Sequence, residues 1–502
     1  MFEAEIRLYN YDQAPAAPLF PGDPGEHCGA RIVQLLGEGL VGYDPQSGAP
    51  HLEAAESVTT ADSRSFTVTL KPGRTFHDGT PVLARHYVDA WNHTAYGPNG
   101  LPGAVWFEKV LGYPEVHPAQ GRPSAERLAG LRILDELRFE VELAEPFATF
   151  PLALGLVAYF PLPDAYFADP EGFRRQPVGN GPYRFAGAES GTDYRLTAWP
   201  EHRGTHPPRI RGLRLTAYPT REQAYQALLN GELDYLDALP HALLADGRCE
   251  RELAGRLVGR DGLMLQSLAF PGHLPGYGHP DLRRAVSLAI DRPRVIGAAL
   301  AGRQRPADGW AVPQVSGYLP DQAGGWCTFD PERARTHLAR SGFTGPLEIH
   351  SPVSARDWLR ELADCVTEVL GIECTLRLYD RTGDYYDAVG GRTVTGAFRA
   401  DWGADYPALE NFLRPQFHST GAFNDTGYAR PEFDALLDAA DTAPSQAEAA
   451  TLYQRAERLL AEDLPHVPLW QEWACAGYSA RLTDVRMTTH GYLDLTSVGV
   501  LG

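Results

Sequence analysis

The chain has 502 residues, more than a single hydrophobic core usually supports, so two or more domains are expected, each able to bury a core of its own. Apolar residues make up 43% and charged residues 22%, and 51 glycines with 41 prolines imply many turns within a mixed α/β architecture. A formal charge of −19 with no Lys/Arg-rich run argues against nucleic acid or anionic lipid as a partner, and no apolar stretch is long enough to span a bilayer.

The opening residues, MFEAEIRLYNYDQAP, lack the basic start, apolar middle and cleavage site of a secretory signal. Two locations are therefore expected: extracellular and anchored at the membrane surface if a signal or lipid-anchoring segment was removed, or cytoplasmic if Met1 is the native start. Next, SFTVTL (65–70) alternates as a strand does, and KPGRTFHDGTPV (71–82) supplies two glycine turns around a short strand. PVLARHYVDAWNHTAYG (81–97) spaces Val82, Leu83, Tyr87, Val88, Trp91 and Tyr96 as a helix, with Gly97 as its stop. That stripe reads first as core packing, while Trp91 and Tyr96, near the helix end, are also candidates for a ligand face.

LAGLRILDELRFEVEL (128–143) reads as two strands and a turn, and PVGNGPYRF (177–185) as a glycine-rich turn entering a strand. From residue 220 helices dominate. TREQAYQALLNGELDYL opens on Thr220 as N-cap and stops at Gly231; GLMLQSLAF (262–270) is a strand; HPDLRRAVSLAIDRPRVIGAAL (279–300) is two helices parted near Arg292-Pro293. TFDPERARTHLARSGF (328–343) begins with an Asp330 cap and Pro331 in the first turn. ELADCVTEVLGIECTLRLY (361–379) reads as helix, glycine turn and strand, which makes Cys365 and Cys374 either a disulfide pair or two buried thiols. Residues 429–470 form a helical pair broken near Pro444 and close on a buried strand.

Motifs for several reaction classes are missing: H-E-x-x-H, G-x-S-x-G, the EF-hand pattern and the phosphate loop, and no C-x-x-C occurs. No metal, cofactor or catalytic residue is assigned, and an enzyme is not expected. The informative segment is DWGADYPALENFL (401–413), which sets Asp401 and Asp405 among aromatics. Such an acid is either a turn residue or a partly desolvated carboxylate in need of a cation, from an arginine of the chain or from a ligand.

Seven blocks in order carry a resemblance: EGLVGYD (38–44), LKPGRTFHDGTPVLARHYVDAWN (70–92), GNGPYRF (179–185), HPDLRRAVSLAIDR (279–292), CTFDPERARTHLARSGF (327–343), DWGADYPALENFL and YQRAERLLAEDLPHVPLW (453–470). They resemble the extracellular solute-binding proteins of ABC importers, in the oligopeptide and dipeptide branch (family 5), with AWN and GWCTFDP similar to actinobacterial members. The resemblance implies a two-lobed periplasmic-binding-protein-like α/β fold of class II type, with a ligand cleft between the lobes. Lobe I would hold 1–44, 167–266 and 470–502, with an inserted subdomain at 45–166, and lobe II 267–469. It further implies a monomer that closes on a peptide or peptide-like molecule and hands it to permease subunits. In that setting Asp405 pairs with the ligand's α-ammonium between Trp402 and Tyr406, the latter able to offer its hydroxyl. Trp106 and Tyr385 are further candidates for the cleft lining, as are Phe107 and Tyr386. Two rivals use the same scaffold: an enzyme or chaperone acting on a peptide-like intermediate, and a binder of sugars or metal chelates. The last would give Asp405 an internal arginine partner or a hydroxyl contact.

Overall fold

The computed structural model describes residues 3–10, 19–23, 27–189 and 193–501. The chain divides into two units, one comprising Met1–Pro240, Cys249–Gly259 and Cys475–Gly502, the other His241–Arg248 and Arg260–Ala474.

In chain order the first unit contains β1 (Glu3–Tyr9), α1 (His27–Leu36), β2 (Ala55–Thr60), β3 (Ser65–Leu70), α2 (Ala84–Ala95), β4 (Leu131–Ile133), β5 (Arg138–Glu142), β6 (Tyr183–Glu189), β7 (Asp193–Ala198), β8 (Ile210–Thr216), α3 (Arg221–Leu229) and β9 (Tyr235–Leu236). Its main sheet runs β9-β1-β8-β7-β6, with β1 parallel to both β8 and β9. A separate sheet runs β2-β3-β5-β4. The alternation in SFTVTL does what it implies: Phe66, Val68 and Leu70 are buried while their neighbours are not. The turn before α2 forms only an isolated bridge, Thr75 with Pro81, in place of the expected short strand, because Gly73 and Gly79 both take the left-handed conformation and fold the segment back too soon. Thr220 caps α3 by accepting from the Gln223 amide at 3.2 Å.

Buried charge in this unit is paired. Arg74 bridges Glu38 (2.7 Å) and Glu53 (3.0 Å), and Glu38 also meets His202 at 3.0 Å. Burial pushes the Glu53 carboxyl up, but hydrogen bonds from Thr205, Arg74 and His51 outweigh it and hold the group at about 2. Asp234, fully buried, receives Arg7 in a two-pronged ion pair together with Arg481 and Ser479, which ties β1 to the C-terminal residues.

The second unit contains most of β10 (Leu257–Ala269), then α4 (Pro280–Ala289), α5 (Arg292–Ala299), α6 (Pro331–Ser341), β11 (Leu347–Pro352), α7 (Arg356–Leu370), β12 (Cys374–Tyr379), α8 (Thr382–Gly390), β13 (Ala397–Gly403), α9 (Leu409–Phe417), α10 (Pro431–Asp441), α11 (Gln446–Asp463) and most of β14 (His466–Tyr478). Its strand order is β12-β11-β13-β10-β14. β11 is parallel to β12 and β13, β10 is antiparallel to β13, and helices bury Leu282, Val286, Leu359, Leu362 and Phe412 in one core with Leu268 and Ile349. α6 starts as its sequence says, with Asp330 accepting from the Arg333 amide at 3.0 Å, and Ser445 caps α11 in the same manner. Arg292 is fully buried, and no carboxylate among the described residues pairs with it. Its guanidinium instead donates to the carbonyls of Pro468, Ser287 and Cys327, fixing α5 to the start of β14.

Among the described residues no helix is long and apolar enough to cross a membrane, and no group of three or more His, Cys, Asp or Glu side chains stands together as a metal site.

Candidate functional site

β13 carries the segment that the sequence singles out. It pairs on one side with β11 and on the other with β10, in a register that sets Trp402 opposite Leu265, Asp401 opposite Gln266 and Arg399 opposite Leu268. After Gly403 the chain leaves the sheet, and two backbone bonds to Ser316, one from its amide to the Pro407 carbonyl and one to its carbonyl from the Leu409 amide, steer it into α9. Leu409, Phe412, Leu413 and Phe417 then face the core, which fixes the rotation of α9 and so the direction of Asn411.

The two aspartates meet different fates. Asp401 is neutralised within the chain by Arg399, at 2.8 Å, and Arg399 donates in turn to Gln266 at 2.9 Å. Asp405 has no cationic partner among the described residues. Among the described residues its carboxylate's one hydrogen-bond partner is Asn411, a fully buried residue whose amide donates to Asp405 Oδ2 at 3.2 Å. The Asn411 carbonyl oxygen accepts from the Asp405 backbone amide at 2.9 Å and from the Trp402 indole at 3.4 Å. One carboxamide thus orients both the acid and the aromatic ring.

Asp405 keeps part of its surface open, yet its surroundings exclude enough water to matter. Burial raises its carboxyl to about 6, and the Asn411 hydrogen bond offsets only part of that. At neutral pH the group remains mostly ionised, desolvated and short of a counter-charge. An ammonium delivered to it would gain a contact that water at the surface would largely screen.

Other expected residues fall elsewhere. Tyr406 is buried and its hydroxyl is already committed, donating to the Glu410 carboxylate, so it has none to offer a ligand. Tyr385 is buried against Ala269, Val389 and Phe398, with its hydroxyl given to the Arg399 carbonyl; its neighbour Tyr386 is the exposed one, at 54%. Trp91 lies in the aromatic core of the first unit against Phe107, Phe139 and Tyr159, and its indole donates to the Tyr159 carbonyl at 3.0 Å. It is a packing residue, as is the fully buried Phe107. Tyr96 is half-buried at the end of α2, and half-buried Trp106 offers its carbonyl to the Tyr159 hydroxyl at 2.5 Å. Cys365 and Cys374 carry free thiols: Cys365 turns toward the backbone of Asp291, at the head of α5, instead of toward β12.

Two residues of the site are absent from the sequence-based set. Asn411 could have been noticed as a polar residue inside the apolar stripe of LENFL. Phe423 could not, because it lies 18 positions beyond Asp405 in a turn-rich loop, yet its ring meets Trp402 at 5.1 Å between centroids.

A profile of the bacterial extracellular solute-binding proteins, family 5, matches residues 49–424, three quarters of the sequence and the whole of this site. The chain belongs to that family. Among individual relatives, the periplasmic oligopeptide-binding protein OppA of Escherichia coli (strain K12) is 24% identical over 454 residues, 88% of this chain and 82% of that one. The periplasmic murein peptide-binding protein MppA of the same organism is 23% identical over 472 residues, covering 89% and 85%. The fold is likewise that of the unliganded open form of the murein tripeptide-binding protein MppA, with a TM-score of 0.80 at 19% identity over 99% of this chain and 97% of the other.

Proposed function

We propose that this protein captures peptides or a peptide-like metabolite outside the cell and delivers the cargo to the permease of an ABC transporter, acting as a binding protein and not as an enzyme. Asp405 is the seat of the cargo's free α-ammonium. The observation that carries this reading is the contrast within one strand and its exit: Asp401 has an arginine at 2.8 Å, and Asp405, whose carboxyl burial raises, has none among the described residues. A sugar or chelate binder that relied on an internal cation would need one beside Asp405, and Arg399 is engaged by Asp401; one that relied on a hydroxyl contact is separated from the peptide reading by the experiment below. Family membership supports solute capture, and the peptide ligands named for OppA and MppA support the cargo class. The Trp402 ring beside the carboxylate supplies an apolar surface that excludes water from such a pair.

The test is thermal unfolding of the purified protein with short peptides whose amino terminus is free or acetylated, in wild type and Asp405→Asn. A ligand at about 100 times its Kd adds roughly 2.7 kcal/mol of stability, a visible shift in midpoint. Free peptides are expected to raise the midpoint of wild type only. Equal shifts from free and acetylated forms, or no shift from any peptide, would remove Asp405 from the role assigned to it.

A further inference from the structure

The loop after α9 is tightly held. Asn424, itself buried, donates to the carbonyls of His418 (2.9 Å) and Tyr428 (2.7 Å) and accepts from the Tyr428 amide (3.0 Å) and the Thr426 hydroxyl (3.2 Å). The Phe423 amide donates to the Pro415 carbonyl at 3.0 Å. At Gly421 a side chain would come within 2.5 Å of that same carbonyl oxygen, so the loop folds directly onto the end of the helix. Despite this bracing, Phe423 is 46% exposed. A single exposed aromatic needs no explanation, but this one is not isolated. Its ring leans on half-buried Trp402 at an interplanar angle of 65°, and the Trp402 indole hangs from the Asn411 carboxamide that also orients Asp405. A stiff loop therefore presents an apolar edge beside an uncompensated carboxylate, the combination of apolar surface and one placed polar group that marks a ligand site.

We propose that Phe423, together with Trp402, is the specificity-determining surface for the group next to the ligand's ammonium, and that it selects peptides whose first side chain is large and apolar. The inference rests on the reading of Asp405 as the ammonium seat. An ammonium held there places the substituent of its α-carbon beside the Trp402 ring, with Phe423 as the next contact. The cations near this cluster are both engaged: Arg399 pairs with Asp401 at 2.8 Å, and Arg392 donates to the Asn424 carbonyl at 3.2 Å and acts electrostatically on Asp425.

The experiment is calorimetric titration of wild type, Phe423→Ala and Phe423→Leu with three tripeptides: Phe-Ala-Ala, Ala-Ala-Ala and N-acetyl-Phe-Ala-Ala. The readout is the ratio of the two free-amine affinities within each protein, which is insensitive to the fraction folded. Wild type is expected to prefer Phe-Ala-Ala roughly tenfold, the scale of one good aromatic contact. Phe423→Ala brings the ratio close to one by weakening Phe-Ala-Ala alone, and Phe423→Leu retains part of it. A wild-type ratio near one, or an unchanged ratio in Phe423→Ala, overturns the role of Phe423 while free-amine dependence leaves Asp405 in place. Absence of binding by either free tripeptide, or equal binding of the acetylated form, overturns the Asp405 reading and this inference with it.

Discussion

The cluster around Arg74 in the first unit and the turn around Asp405 in the second both remove carboxylates from water, and they do so on opposite terms. Glu38 and Glu53 are enclosed with their cation: Arg74 lies between them, and His202 and His51 supply further contacts. Asp405 is enclosed with an amide and, among the described residues, no cation. A closed cluster contributes to holding its own unit together and has no charge left for anything else; an open one weakens the fold slightly and retains its capacity to bind. Glu457 sharpens the distinction. It too has no ion-pair partner among the described residues, Arg458 acting on it only weakly; one oxygen is bonded to the Trp310 amide and the other is unpartnered, and it is fully buried, which raises it to about 8. It is therefore largely neutral at pH 7 and out of a ligand's reach. Of these four carboxylates only Asp405 is at once ionised, partly open and, among the described residues, without a cationic partner.

The strongest way to break the comparison is at Arg74. Arg74→Met strands two buried carboxylates and is expected to cost about 3–5 kcal/mol in urea unfolding; a cost below 1 kcal/mol would mean that the cluster is not the closed system described. Asp405→Asn should act in the reverse sense. Affinity for a free-amine peptide is expected to fall by about 2–5 kcal/mol in calorimetry, the usual cost of truncating a desolvated charge pair. Stability at pH 7 is expected to stay level or rise, because a carboxyl raised by burial contributes fully only below its ordinary range near 3.8 and has lost that contribution once pH passes about 6.

Glu457 gives a smaller effect, spread along the pH axis. Its raised carboxyl means a contribution complete below about 4.5 and lost progressively as pH climbs through 8, so wild-type stability should decline across that window relative to Glu457→Gln. Parallel pH profiles for the two proteins would count against a buried, protonated Glu457. Smallest is the cap of α11: Ser445→Ala should cost about 1 kcal/mol of unfolding free energy and leave peptide affinity unchanged.

Local chemistry made the helices legible. Asp330-Pro331, Thr220 and Ser445 open α6, α3 and α11 through bonds to amides three residues on, and such caps depend on nothing distant. What the sequence could not show was which face of an element meets which neighbour. Trp91 sits at a helical spacing equally compatible with a cleft wall or a core, and it is Phe107, Phe139 and Tyr159, from remote parts of the unit, that make it core. Tyr406 has its hydroxyl taken by Glu410, visible only once the turn into α9 is formed. The Cys365 and Cys374 thiols lie on elements that do pack together, but the rotation of α7 turns Cys365 toward α5. At the candidate site, the motif singles out Asp405 from sequence alone, whereas Asn411 and Phe423 acquire meaning only from the shared carboxamide and the ring contact.

The most direct measurement is the number of protons exchanged on binding, from calorimetry of a free-amine tripeptide at pH 6 in two buffers of different ionisation enthalpy. Unliganded Asp405 is then about half protonated, and an incoming ammonium drives it to the carboxylate, so wild type should release about half a proton per peptide bound. Asp405→Asn should release almost none from whatever binding survives. Equal proton exchange in the two proteins would contradict the account, because it would place the ammonium on some other group.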